Sequence, residues 1–504
     1  MLQGFATQKG TKSYAVQNSS LGYGELGGTG LLASQAGFGC YRVDLTDPEH
    51  EKSLRKALLS GINLIDTSSN YGDGKAEELV GKVLEDLASS GKITRESTIV
   101  VSKVGYLQGQ NYQISQERKG QGKPFEDLVL YADGLEHCIH PEFIDDQLTR
   151  SLERLRLDTL DFYLLHNPEY YLSWASKTGV SLEKARQEYY NRIQQAFQHL
   201  ETEVEKGRIR YYGISSNTFP SPAADPEFTS LGQVWEIADS LSSHHHFRLI
   251  QLPMNLLETG GITEKNQANG QSVLEFARSK NLGMLINRPL NAIINDTLLR
   301  LAEVRVAGRT SDNEVSDLVD RLISSEKVLR DTILPQLGLS PAIQSQVMEQ
   351  LTTGTVLKQH WQSFGTYERW QELREYYFSP RVMGVFQFLQ QGVPSAEDIF
   401  SWMNSHREKL EELLEAVGSR YGEQAAKRST RIKENLSSVD REWSEAATLS
   451  QMAIRALRST TGITTVLVGM RREAYVMDVL EELGRLVESR ERTESWLELK
   501  KMTF

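Results

Sequence analysis

The chain is nearly without cysteine: Cys40 and Cys138 are the only two in 504 residues. They stand far apart, and neither has a second cysteine or a histidine at zinc-ligand spacing. A disulfide framework and a structural metal are therefore not expected. Long hydrophobic runs are missing too. No segment approaches the roughly 18 apolar residues needed to span a bilayer. The opening "MLQGFATQKGTKSYAVQNSS" lacks the apolar centre of a secretory signal and the arginines of a transit peptide. The expected setting is the reducing cytoplasm, with no membrane partner. Positive charge is also in deficit, since 56 basic against 67 acidic residues leave a net charge of −11. Such a field repels a phosphate backbone and argues against nucleic acid, although a local basic site for one small phosphate remains compatible with it.

What is present is ordinary globular composition, 39% hydrophobic and 24% charged, arranged in a regular alternation. Short apolar, β-branched runs recur as "QAGFGCYRV", "NLIDTSS", "TIVVSKV", "LDFYLLHN", "IRYYGISS", "RLIQLPMN", "GMLINRPL" and "TTVLVGM". Between them lie segments with apolar residues at helical spacing, such as Leu79, Val80, Val83, Leu84 and Leu87, or Ile144, Leu148, Leu152 and Leu155. Asp47 before Pro48 predicts the N-cap of the first of these helices. Eight βα units with near-continuous apolar strands predict an α/β fold, a parallel (β/α)8 barrel jacketed by helices.

One segment does not fit the alternation. Residues 294–441 read as a mainly helical insertion between the seventh strand and its helix, with Val315, Leu318, Val319 and Leu322 on one face. Ser340–Pro341 reads as a helix start, and Ser395 to Asp398 as a capping box. This divides the chain into a first barrel part at 1–293, an insertion subdomain at 294–441, and a last helix-strand-helix at 442–504.

Asp66 and Tyr71 follow the second strand, Lys103 ends the third, and His166 ends the fourth. A barrel brings these ends to one mouth, where active sites of this architecture lie. An isolated tyrosine keeps its proton to about pH 10. An ammonium within hydrogen-bond reach favours the phenolate, so Lys103 is expected to lower that value for Tyr71. Asp66 supplies the counter-charge that keeps a partly buried lysine charged. His166 is expected to orient a polar substrate atom or to share proton transfer. Each residue type alone is common at strand ends; the four together, in this order, point to a catalytic set.

On these residues the chain resembles the aldo-keto reductases. The stretch "GINLIDTSSNYGDGKAEELVGKVL" is similar to the family signature, Lys103 in "VVSKVG" matches its lysine, and His166 in "DTLDFYLLHNPE" its histidine. The resemblance implies NADP(H) bound in extended form across the mouth, with no Rossmann unit. It implies hydride transfer between NADPH and a carbonyl or alcohol substrate, such as an aldehyde, ketone or sugar. It assigns the nicotinamide amide to Ser215 with Ser216 or Asn217, and to Gln251. It assigns the last βα turn to Gly469 through Arg472, with Arg471 at the place of the 2′-phosphate contact and Asp478 at that of the acidic residue near the adenosine. NADP is thereby expected over NAD.

The sequence departs from the family at Asn287, which stands where an aromatic ring usually stacks on the nicotinamide. Arg288 follows it, a guanidinium suited to the pyrophosphate or to a substrate carboxylate. The insertion is a second departure. Its aromatic-rich "HWQSFGTYERWQELREYYFSP" reads most simply as a subdomain core, and more sharply as a lid over cofactor. The rival functional reading is a nucleotide-sensing or protein-interaction member of the fold with little turnover, in which the insertion carries a partner protein.

Other features invite chemistry without supporting it. "GYGELGG" has glycines at dinucleotide spacing but no preceding strand, and is expected to be a flexible loop. His244, His245 and His246 are adjacent, point in different directions, and are expected in an exposed loop. Cys138 and His140 end a long connection after Lys103, where they either line a pocket or pack against the next helix.

Overall fold

Eight short parallel strands pair in closed order: β1 (Ala36–Gly39), β2 (Leu64–Asp66), β3 (Ile99–Val104), β4 (Leu160–His166), β5 (Ile209–Ser215), β6 (Phe247–Pro253), β7 (Gly283–Asn287) and β8 (Thr465–Val468). Each pairs with its neighbours in sequence, and β8 closes onto β1. This computed structural model describes residues 1–294, 297–304, 308–392 and 397–502. The jacket is formed by α1 (Pro48–Leu59), α2 (Lys75–Ser89), α3 (Pro141–Leu155), α4 (Leu182–Glu205), α5 (Leu231–Leu241), α6 (Val273–Ser279), α7 (Leu449–Arg458) and α8 (Glu473–Leu483).

The local sequence accounts for these elements. All of β4 is buried, as a strand covered on both faces must be. The Asp47 carboxylate accepts the Glu49 N–H at 2.9 Å and caps α1. The expected stripes on α2 and α3 are buried against the barrel. Inside it, Leu64, Val101, Phe162, Leu164, Leu249, Leu285 and Leu467 form one cluster with Leu26 and Leu31.

Those last two leucines come from "GYGELGG" and the residues after it, and here the structure corrects the expectation of a flexible loop. Tyr23–Glu25 pairs antiparallel with Leu32–Ser34. Between them Gly27 takes φ +57°, and a Cβ there would stand 2.2 Å from the Gly283 nitrogen and 2.5 Å from the Arg248 oxygen. Only glycine allows that approach, so the hairpin plugs the N-terminal end of the barrel. The histidine run is corrected as well. His244 is exposed, but His245 is buried edge-on to Trp235, and the His246 ring nitrogen lies 2.7 Å from Glu201.

The connection after β3 folds as a small antiparallel sheet, Tyr106–Leu107, Leu135–His137 and Val129–Ala132, with a helix at Gly109–Gly120. The described residues divide into two compact units, Met1–Leu290 together with residues 436–502, and Asn291–Asn435. The second unit starts with a hairpin, Asn291–Ile294 with Thr297–Arg300, and is otherwise helical among its described residues. It has its own core. Val315, Leu318, Val319 and Leu322 face inward, and a fully buried Trp370 stacks between Phe364 and Tyr421 at 5.7 and 6.2 Å. The aromatic-rich piece thus contributes core residues to this unit. Ser340 caps the helix that begins at Pro341; the Ser395 end of the expected capping box lies outside the described residues. Among the described residues no helix is long and apolar enough to cross a membrane.

Candidate active site

The turn after β2 positions Tyr71. Gly72, Asp73 and Gly74 take φ of +56°, +57° and +89° in succession. Three left-handed residues in a row redirect the chain from strand to α2, and glycine at two of them removes most of the steric cost. Asp73 secures the turn by accepting the Gln110 N–H at 3.1 Å.

Lys103, fully buried at the end of β3, is the hub. Its ammonium donates to Asp66 Oδ2 at 2.8 Å, to the Thr67 carbonyl at 2.8 Å and to the Tyr71 hydroxyl at 3.2 Å. Three donors thereby meet three acceptors. Burial works against the charge on Lys103, but Asp66 and Tyr71 outweigh it and hold its pKa above the ordinary lysine value. The remaining Asp66 oxygen, Oδ1, accepts Gln251 Nε2 at 2.7 Å.

The expectation that Lys103 would bring Tyr71 below its ordinary value is corrected. Burial dominates and pushes the phenol up to about 12; Lys103 opposes that rise without cancelling it, and Asp66 adds to it. The physical reason is that the phenolate would be desolvated in this pocket, while part of the lysine's field is spent on Asp66. At neutral pH Tyr71 keeps its proton.

His166 ends β4 with its ring centre 5.9 Å from that of Tyr71. The Ser68 hydroxyl lies 3.2 Å from its Nδ1, and Tyr106 packs edge-on at 4.7 Å. Burial first and the Lys103 charge second hold its pKa well below the ordinary value, so the imidazole is neutral. Behind it, His137 Nε2 donates to the His166 carbonyl at 2.8 Å, and burial pushes its own pKa down to about 4.

Beside this group, side chains from the ends of β5, β6 and β7 meet on a single oxygen. Gln251 Oε1 accepts the Ser215 hydroxyl at 3.0 Å and Asn287 Nδ2 at 3.3 Å. Asn287 Oδ1 is buried and without a partner. Hydroxyl, carbonyl and amide groups so placed fit a primary amide such as that of nicotinamide. Of the two candidates for a further amide contact, Ser216 is turned into a hydroxyl cluster with Thr218 and Thr229 at 3.2 and 3.3 Å. Asn217 is exposed, with its backbone N–H held by Glu169 at 2.8 Å.

The Arg288 guanidinium is engaged on one side within the protein, and its Nε is buried without a partner. Arg288 takes φ +53° and donates Nη2 to Glu258 Oε1 at 2.7 Å. Gly469, after β8, is exposed, with open space where a Cβ would stand. Arg471 is partly exposed in the same turn, and Arg472 is exposed at the N-cap of α8. Asp478 is engaged in tying α8 to the start of α7, accepting from Ser450 Oγ at 2.7 Å and Gln451 Nε2 at 2.9 Å.

Sequence reasoning missed Ser68, Tyr106, His137 and Glu169. Ser68 stands within the signature stretch and Tyr106 and His137 outside any motif, and the approach of all three to His166 depends on how turns and the long connection fold back. Glu169 left a signal, a carboxylate three residues past His166 at the same strand end. It is buried, its Oε2 has no partner, and burial pushes its pKa up to about 7. Cys138 and His140 pack: the thiol donates to the Glu126 carbonyl at 3.3 Å, and His140 caps α3. On the barrel exterior, Asp145, His199 and Glu203 bring ligand atoms within 4.8 Å of one another. Arg208 already bridges the two carboxylates at 2.7 and 3.0 Å, and Lys206 reaches Glu203 at 2.8 Å.

The fold and this group define a parallel eight-stranded barrel with Asp, Lys, Tyr and His gathered at the C-terminal mouth. The model of the aldo/keto reductase family matches residues 29–316, more than half of the chain, and the chain belongs to that family. It is 31% identical over 150 residues to the NADH-specific methylglyoxal reductase of Escherichia coli, a match covering 28% of this chain and 40% of that one. It is 34% identical over 125 residues to the L-galactose dehydrogenase of Arabidopsis thaliana, covering 23% and 38%. The chain thus spans about two fifths of the length of these curated relatives. Among solved structures, an aldo-keto reductase from Bacillus halodurans in its holo form matches at 14% identity and a TM-score of 0.46, over 95% of this chain and 97% of that one.

Proposed function

We propose that the chain is an NADP(H)-dependent oxidoreductase that interconverts a carbonyl compound and its alcohol. The observation that carries this reading is the Lys103 hub, which joins a buried carboxylate to a protonated phenol facing a neutral histidine. NADPH, when bound, supplies hydride to the carbonyl carbon. Ser215, Gln251 and Asn287, with Asn217 as a further candidate, hold its nicotinamide amide; Arg471 takes the 2′-phosphate, with Arg472 next to it in the same turn.

Tyr71 donates its proton to the carbonyl oxygen. A phenol whose pKa is pushed up to about 12 is protonated throughout the neutral range, which suits it to the acid role in reduction. Lys103 stabilises the phenolate as the proton leaves, and Asp66 keeps Lys103 charged and fixed. His166, neutral and held through Ser68, positions the substrate oxygen.

The test is Tyr71→Phe. Reduction of a simple aldehyde such as 4-nitrobenzaldehyde by NADPH is expected to fall by about 10²- to 10⁴-fold, the usual contribution of a positioned acid. NADPH affinity is expected to stay unchanged. Equal turnover would place the proton donor elsewhere, and binding without turnover in the parent chain would favour a nucleotide-sensing role.

A further inference from the structure

We infer that Asn287 makes the cofactor seat recognise the carboxamide group itself, by hydrogen bonds in the plane of the amide, in place of contact across a ring face. This rests on the proposal that a nicotinamide nucleotide binds at the mouth.

The orientation of the three side chains follows from Asp66. Its Oδ2 is committed to Lys103, and as a carboxylate it only accepts, so Gln251 must turn its NH2 group toward Oδ1. Gln251 Oε1 is thereby aimed away from Asp66, at Ser215 and Asn287. Asn287 must in turn offer its NH2 to that oxygen, because the opposite orientation would set two carbonyl oxygens against each other. The consequence is Asn287 Oδ1, an acceptor enclosed by protein and left without a donor. Buried acceptors in that state are rare and unfavourable.

A ligand that brings an N–H relieves this arrangement. Of the three bonds that hold the Gln251 amide, the one from Asn287 is the longest at 3.3 Å, against 2.7 and 3.0 Å for the others. Asn287 is therefore the member most readily released. Once it turns, its Oδ1 accepts one ligand N–H while Gln251 Oε1 takes the other, and the Ser215 hydroxyl is free to donate to the ligand carbonyl. A flat aromatic ring at position 287 would contribute face contact regardless of the substituent on the pyridine. An asparagine contributes only where the substituent carries hydrogen-bonding groups.

Calorimetric titration with NADP+ and with its 3-acetylpyridine analogue, in which a methyl replaces the amide nitrogen, tests the inference by affinity alone. The chain is expected to bind NADP+ about 10-fold more tightly, because the methyl group loses both N–H donors, the larger part of the effect falling on Asn287 Oδ1, which stays unmet, and the smaller on Gln251 Oε1. In Asn287→Ala and Asn287→Phe the preference should shrink to about 2-fold, the part left to Gln251, and in Asn287→Phe both nucleotides should bind more evenly. Equal affinities in the parent chain, or a preference unchanged in both variants, would overturn the role of Asn287 and leave the oxidoreductase reading standing. Binding of neither nucleotide would overturn both.

Discussion

Removing the ammonium at the centre of the site should be costly in a calculable way. Lys103→Met keeps a side chain of similar length but deletes three donors at once. It leaves Asp66, only 4% exposed, with Gln251 as its remaining side-chain donor. Breaking a buried ion pair from one side typically costs about 3–5 kcal/mol, because the orphaned charge stays out of water. The double variant Asp66→Asn/Lys103→Met has no orphaned charge and should recover most of that loss. Amide hydrogen exchange read by mass spectrometry on peptides covering Ile99–Val104 and Leu160–His166 isolates the barrel strands from the helical unit. Where exchange from these strands requires full opening of the barrel, about 3–5 kcal/mol corresponds to roughly 10²- to 10⁴-fold faster exchange in the single variant. The phenol should move in the same experiment series: without Lys103 to oppose burial, the pKa of Tyr71 rises further above about 12. If the single and double variants exchange equally fast, Lys103 and Asp66 are not energetically paired and the account of the hub fails.

Glu169 makes the barrel sensitive to pH. Its folded pKa, raised by burial from 4.5 to about 7, lies above its unfolded value, so between these two values the unfolded chain has lost a proton that the folded chain retains. The contribution of Glu169 to stability should fall as pH rises through that window, by about 3 kcal/mol in total, against the opposite contribution of His137 and His166, whose lowered pKa values favour the folded chain as pH rises. The difference in unfolding free energy between the parent chain and Glu169→Gln isolates that contribution and should change by this amount between pH 4.5 and 8; a difference that stays constant would remove Glu169 as its source. In the helical unit, Trp370→Ala should cost about 3–5 kcal/mol through the cavity it opens. Faster exchange across Asp312–Val328 is the expected sign, and unchanged protection there would mean that Trp370 is not central to that core.

The sequence alone determined the barrel, because its signals are local. A buried strand, an amphipathic helix and a cap such as Asp47–Pro48 are each written within a dozen residues, and their alternation leaves few ways to bury eight apolar strands. The order of Asp66, Tyr71, Lys103 and His166 was legible for the same reason, since each is placed by the end of its own strand. The state of those groups was not. The raised pKa of Tyr71 depends on how deeply the mouth buries it, and that depth is not encoded near residue 71. Arg288 looked free on every side until β7 brought it to Glu258, and Asp478 until α8 met α7. Ser216 and Asn217 are neighbours in the chain, yet only the second faces outward, because Thr229 draws the first inward. The bond between Gln251 and Asp66 joins residues 185 positions apart, and it decides which way the amide, and with it Asn287, must point. Spacing within a segment can be read from the chain; partners and desolvation are set by distant segments meeting, and only the tertiary structure decides them.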